Sequence, residues 1–208
     1  MCLNDFNSEL YQEKYRIKSI RLSYWDYSSD GWYFVTICTK NMVKHFGDVR
    51  NYVMGLSDIG CVVHEQWRKT GELRNNVRLD EFIVMPNHVH GIIQIYNPDP
   101  PTNTIIGCNN INSTNVETHC NASLRNNDEW TPNRFGPQRN NLASIIRGFK
   151  SSVKRICNKN GHPNFKWQAR FYDHIIRNEK SLNEIRGYIY DNPERWELDR
   201  NNPEGLWA

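Results

Sequence analysis

Two histidines separated by one residue, His88 and His90, stand in Met85-Pro86-Asn87-His88-Val89-His90-Gly91, ahead of the apolar run Ile92-Ile93-Gln94-Ile95. The run suits a β-strand, where side chains at i and i+2 share a face roughly 7 Å apart. Both imidazoles then look out together from a rigid support, while Val89 faces a core. Near the other end, Tyr188 and Asn192 are four apart where a helical pattern ends, so they lie one above the other. Two imidazoles and the Asn192 side-chain oxygen would hold a divalent ion, which would make a scissile phosphate a better electrophile. The Tyr188 phenol would attack that phosphate and keep it as a covalent ester. A phenol with an ordinary pKa of about 10 is a weak nucleophile, so the metal and nearby basic groups must assist. The ester conserves the bond energy and permits rejoining as well as cutting, which attack by water would not.

Other assignments of the same residues stay open at this level. His88 and His90 could be two polar residues of a solvated strand. Tyr190 and Tyr172 are rival nucleophiles, and Tyr172 adjoins Asp173-His174, a possible dyad. His174 reads as a supporting, packing or DNA-contacting residue rather than a ligand.

These residues need elements to place them. Trp32-Tyr33-Phe34-Val35-Thr36-Ile37-Cys38-Thr39 is the strongest strand signal and suggests a central strand. Residues 40–53 read as a connection. Ser57 or Asp58 caps a helix to about Lys69, with Ile59, Val62, Val63, Gln66 and Trp67 recurring at three and four spacings and Gly71 stopping it. Val77–Met85 and His88–Tyr96 form strands joined so closely that an antiparallel hairpin is expected. Leu142, Ile145, Ile146, Phe149, Val153 and Ile156 line one face of a helix over about 140–158. Phe171–Ile176 is extended, and a last helix runs from Ser181, with Glu184 completing a capping box, to Tyr190 before Asn192-Pro193. The sum is an α+β fold, an antiparallel sheet with helices on one face. Residues 97–134 differ in kind: ten of 38 are Asn, no periodicity survives, and the segment reads as a flexible insertion. One domain over 18–197 is expected, with 1–17 and 198–208 as terminal extensions.

Net charge is only +3, but it is unevenly placed. From Arg139 to Lys180 ten Lys/Arg face two acids, a local balance of +8, and such a block suggests a polyanion partner. Arg147, Lys150, Lys154, Arg155, Lys166, Arg170 and Arg177 are the candidate phosphate contacts. Trp25, Tyr27, Trp167 and Phe171 are candidate base-stacking surfaces, with core packing as the competing role. The six cysteines are scattered without a C-x-x-C pair and read as free thiols of a reducing cytoplasm. No apolar run approaches the roughly 20 residues of a membrane span.

The triplet His88-Val89-His90 in its Met-Pro-Asn-His-Val-His-Gly setting resembles the histidine–hydrophobic–histidine (HUH) motif of single-tyrosine transposases of the IS200/IS605 type. The closer resemblance is to the repeat-associated tyrosine transposases. It is carried also by Trp25-Asp26-Tyr27-Ser28, by Trp167-Gln168-x-x-Phe171-Tyr172-Asp173-His174-Ile175-Ile176-Arg177-Asn178-Glu179, and by Tyr188-Ile189-x-x-Asn192-Pro193. The resemblance implies a ferredoxin-like palm and an endonuclease and strand transferase for single-stranded DNA, dependent on Mg²⁺ or Mn²⁺. It implies a 5′-phosphotyrosine intermediate with a free 3′-hydroxyl, and hairpins of imperfect palindromes as the DNA partner. His88 and His90 take the metal-ligand roles and Tyr188 the nucleophile role, with Asn192 standing where insertion-sequence enzymes carry a metal-binding Gln. Monomer and homodimer are both compatible with it. Two alternatives remain: a non-catalytic nucleic-acid-binding palm, and a metal-dependent nuclease using water.

Overall fold

The computed structural model describes residues 22, 25–96 and 140–205; the expected insertion over 97–134 and the extension over 1–17 lie outside the described residues. Six strands and three α-helices follow in the order β1 (Gly31–Cys38), β2 (Gly47–Arg50), β3 (Val53–Leu56), α1 (Asp58–Glu72), β4 (Val77–Val84), β5 (His88–Ile95), α2 (Leu142–Lys159), β6 (Tyr172–Ile176) and α3 (Glu179–Tyr190). The main sheet has the order β4-β5-β1-β6 with antiparallel neighbours throughout. The aromatic and β-branched β1 is central, and β4 and β5 form the expected hairpin. Among the described residues no helix is long and apolar enough to cross a membrane.

Alternation along the strands divides the sheet into two faces. Tyr33, Val35 and Ile37 of β1, Val89, Ile93 and Ile95 of β5 and Ile175 of β6 join the main core, which α1 supplies with Val63 and Trp67 and α2 with Ile145, Phe149 and Val153. Phe34, Ile92 and Ile176, on the opposite face, pack with Leu182 and Ile189 of α3. The expectation of helices on one face is therefore corrected: α1 and α2 share a face, and α3 lies on the other. Each half of the strand alternation is apolar enough to need a cover, and the short stripe of α3 covers the smaller half.

Gly91 permits the approach of the main-core helix to β5. A Cβ there would lie 2.3 Å from the Trp67 ring, and Trp67 is fully buried. Overpacking of this kind costs about 1–3 kcal/mol, so Gly91→Ala should lower the unfolding free energy by that amount, read in urea as a lower midpoint with an unchanged slope.

Four local expectations change. Residues 47–56 form a hairpin whose turn, Asn51-Tyr52, has φ of 49° and 63°. Both turn residues adopt the left-handed conformation of a tight hairpin turn, usually written Asn-Gly, and a tyrosine hides that signal. Gly71 does not stop α1, which continues to Glu72; its missing side chain lets Leu79 approach. The N-cap of α3 is Asn178, whose side chain accepts from the Ser181 N–H at 2.8 Å, so Ser181 is inside the helix. Residues 198–205 are no loose extension, since Asp199 and Asn202 are buried.

A bidentate pair pins α3 to the sheet. Arg186 Nε and Nη2 donate to Asp80 Oδ1 and Oδ2 at 2.7 and 2.6 Å, across a bulge between Leu79 and Phe82. Arg186, foremost through these hydrogen bonds, holds the Asp80 carboxyl below its ordinary 3.8. Charged hydrogen bonds of this geometry, discounted for the half-exposed guanidinium, contribute about 1–2 kcal/mol. Arg186→Ala should lose that amount in denaturant titrations at neutral pH. Because the folded-state pKa is depressed, the difference from the unmodified protein is full above pH 3.8 and fades as the pH falls below it.

Candidate metal and nucleophile site

Strand β5 aims its even-numbered residues away from the main core, which brings His88 and His90 together with ring centroids 4.4 Å apart. Both are almost wholly buried, at 0% and 2% exposure. Burial lowers the His88 pKa to about 3, and burial with the neighbouring His88 lowers that of His90, so both rings are neutral and present lone pairs. His88 Nδ1 lies 2.9 Å from Asn87 Oδ1, an acceptor, so Nδ1 carries the hydrogen and Nε2 the lone pair. His90 is held by the Thr36 hydroxyl at Nδ1, 2.9 Å, and by the Tyr188 hydroxyl at Nε2, 3.2 Å, and it stacks on Phe34.

The end of α3 and the segment behind it complete the cluster. After Asn192 the chain turns back through a short 3₁₀ helix, Trp196–Leu198, and sets Asp199 Oδ2 3.7 Å from His88 Nε2. Neither atom can donate, and both are buried without a hydrogen-bond partner. Asn192 Oδ1 is likewise buried and unpartnered. One ligand atom each from His88, His90 and Asp199 lies within 4.8 Å of the others. Acceptor atoms brought this close in a dry site repel one another unless a cation lies between them, so the residues fit a small divalent ion. The sequence-based expectation is two histidines with Asn192 as the third ligand. Asp199 is an additional, charged candidate that local spacing did not reveal, because it acts from a tail eleven residues beyond Tyr188.

Of the three candidate nucleophiles, only Tyr188 reaches the histidines. Its side chain is 39% exposed, whereas Tyr190 is 80% exposed on the far side of the helix. Tyr172 and His174, on β6, line a separate cleft of about 480 Å³ with Tyr27, Arg177 and Asn178. Burial, and then Asp199, push the Tyr188 pKa up, while the Asn192 side chain and the Arg200 and Arg195 charges pull it down; the net direction is upward.

The basic and aromatic candidates divide. Lys150 and Lys154, expected to meet phosphates, bend onto backbone carbonyls. Lys150 Nζ donates to Gln168 O at 2.8 Å and to Arg170 O, and Lys154 Nζ to Pro163 O at 2.8 Å and Phe165 O at 2.6 Å. Both staple the loop after α2, and burial drops the Lys150 pKa to about 8. Arg147, Arg155, Lys166, Arg170 and Arg177 keep exposed side chains. Helix α2 lies across the sheet from His88 and His90, however, so Arg147 and Arg155 do not adjoin the cluster. The positive charges that act on Tyr188 are Arg200 and Arg195, which the basic block did not include. Trp25, Tyr27, Trp167 and Phe171 are partly buried against the main core, with Trp25 Nε1 donating to Tyr33 Oη at 3.1 Å and Trp167 Nε1 to Lys150 O at 3.1 Å. Their packing role takes most of the surface that stacking on bases would need.

No family model matches the chain. An uncharacterized protein of Haemophilus influenzae is 38% identical over 183 residues, spanning 88% of this chain and 91% of that one. Among solved structures, a REP-associated tyrosine transposase bound to a REP hairpin superposes with a TM-score of 0.52 at 19% identity, over 92% of this chain and 76% of that one. A putative transposase from Deinococcus radiodurans gives 0.40 at 13% identity, over 84% and 97% of the two chains, too distant to define the fold.

Proposed function

This chain belongs to one family with the Haemophilus influenzae protein and has the fold of a REP-associated tyrosine transposase, and on that footing we propose that it is a metal-dependent endonuclease and strand transferase of single-stranded DNA. Its substrate is a hairpin formed by a palindromic repeat, the kind of DNA that the structurally similar protein binds. The catalytic unit spans 18–197 together with the tail to Asn202, and the protein works in the cytoplasm as a DNA-transposing or domesticated enzyme.

The observation that carries this reading is the Tyr188 hydroxyl 3.2 Å from His90 Nε2, beside unpartnered atoms of His88, Asn192 and Asp199. His88, His90 and Asp199 would hold the ion, with Asn192 next to Tyr188. When bound, Mg²⁺ or Mn²⁺ would withdraw charge from a non-bridging phosphate oxygen. Two imidazoles beside one carboxylate suit Mn²⁺ better than Mg²⁺. Tyr188 supplies the attacking oxygen. Its proton passes to solvent water, the Oη–phosphorus bond forms as the bond from phosphorus to the 3′-oxygen breaks, and that oxygen departs with the bonding pair and takes a proton from water, leaving a 5′-phosphotyrosine and a free 3′-hydroxyl. Asn192 steadies the phenol by donating to it, Arg195 and Arg200 favour its anion, and Thr36 keeps the His90 ring turned toward it. Exposed Lys166, Arg170 and Arg177 track the DNA backbone.

The test is a hairpin oligonucleotide labelled 5′ or 3′ of its cleavage point, incubated with Mn²⁺ or with EDTA. The expected result is a denaturation-resistant adduct that carries only the strand lying 3′ of the cut and forms only with metal. Cleavage with no adduct would point to water as nucleophile, and tight hairpin binding with no cleavage to a binding protein.

A further inference from the structure

We propose that Asn87 is a positioning residue that sets the tautomer of His88 and couples that ring to the segment carrying Asp199. The proposal rests on the metal-site reading above. Asn87 is fully buried, and every polar atom of its side chain is engaged. Nδ2 donates to Asn201 O at 2.6 Å and to Met42 O at 3.0 Å. Two carbonyl oxygens accept only from the NH₂ group, so the amide has one permitted orientation, and Oδ1 must face His88 Nδ1. The orientation of a ring in β5 is thereby dictated by two backbone carbonyls, that of Met42 just after β1 and that of Asn201 in the tail.

The tail completes a circuit. Asn201 N–H donates to Asp199 Oδ1 at 2.7 Å, which leaves Oδ2 directed at His88 Nε2 across 3.7 Å. Going around, Asp199 holds Asn201, Asn201 holds Asn87, Asn87 holds His88, and His88 faces Asp199. Every link is a hydrogen bond except the last, where two acceptors meet. That one gap is where the candidate cation fits, and Asn87 is tied to both of its walls, to His88 directly and to Asp199 through Asn201. Partners that orient a metal-bound histidine commonly change metal affinity by about 10–100-fold, and here one residue orients the histidine and tethers the carboxylate.

Two measurements test this. The first uses the unaltered, metal-free protein: ¹⁵N chemical shifts of the His88 ring should report hydrogen on Nδ1 and a lone pair on Nε2. The second titrates Mn²⁺ calorimetrically into the unaltered protein, Asn87→Ala and Asn87→Asp. Asn87→Ala should lose the single tautomer and bind at least about tenfold more weakly. Asn87→Asp, whose carboxylate can still accept from Nδ1–H, should keep the tautomer, but its other oxygen meets the Met42 and Asn201 carbonyls, so the tether to the tail should be lost. Hydrogen on Nε2 in the unaltered protein, or an unchanged tautomer in folded Asn87→Ala, would overturn the proposal. Absence of Mn²⁺ binding in the unaltered protein with the tautomer as stated would instead remove the metal reading, and the tautomer result would still decide the role of Asn87.

Discussion

Tyr188→Phe should bind hairpin DNA normally and lose adduct formation by at least about a thousandfold, equivalent to about 4 kcal/mol of activation free energy. The size follows from removing the proposed nucleophilic atom while the ring keeps its surroundings. Phe34 meets that ring edge-on at 6.1 Å and His90 at 5.2 Å, and neither contact needs the hydroxyl. The lost hydrogen bond to His90 Nε2 costs about 1 kcal/mol of stability at most. A second consequence runs the other way. The Tyr188 hydroxyl lies 3.2 Å from the same His90 Nε2 that a metal would use, so Tyr188→Phe should bind Mn²⁺ as tightly as the unaltered protein or more tightly. Unchanged adduct yield in this variant would end the nucleophile assignment, and cleavage without adduct would transfer the role to water.

Asp199→Asn should weaken Mn²⁺ binding by at least about a hundredfold, the upper end of what partners of metal-bound histidines cost, while making the metal-free protein more stable. The opposed signs come from the 3.7 Å gap between Asp199 Oδ2 and His88 Nε2, two buried atoms that cannot bond to each other. An asparagine there keeps its oxygen for the Asn201 N–H and offers an NH₂ donor to the His88 lone pair. Turning an unmade contact into a hydrogen bond is worth about 1 kcal/mol, and a buried negative charge disappears with it. Urea unfolding in EDTA gives the gain in stability, and metal titration gives the loss of affinity. Equal affinity in both proteins would remove Asp199 from the metal site and leave Asn192 as the third ligand. A stability gain that appears only where function is given up marks a functional site rather than a packing one.

What could be read in advance follows the distance over which each signal acts. His88 with His90, and Tyr188 with Asn192, are spaced by the periods of one strand and one helix, and their faces follow from the chain alone. The strand content of β1 and the amphipathic stripe of α2 are similarly local. Asp199 meets His88 across 111 residues, and Asn87 meets Asn201 through backbone carbonyls, which have no letter in a sequence. Lys150 and Lys154 occupy helix flanks equally suited to solvent or to carbonyls of the next loop, and only the path of residues 163–170 decides. The placement of α3 opposite the other helices was partly legible, since Phe34, Ile92 and Ile176 are apolar where a solvated face would be polar.

The pairing register makes every even-numbered residue of β1, β5 and β6 face the histidine side and every odd-numbered residue face the main core. In β4 the bulge reverses that parity, so that Val77 and Leu79 before it and Phe82 and Val84 after it all reach the core. Each strand thus carries two interleaved texts that answer to different surroundings. Substitutions at Tyr172 or His174 should leave Tyr33, Val35 and Ile175, which belong to the main core, undisturbed. A single-residue insertion in β1 or β5 would exchange the two texts at once. Change in this family is therefore expected to enter by substitution within the strands and by insertion only between them.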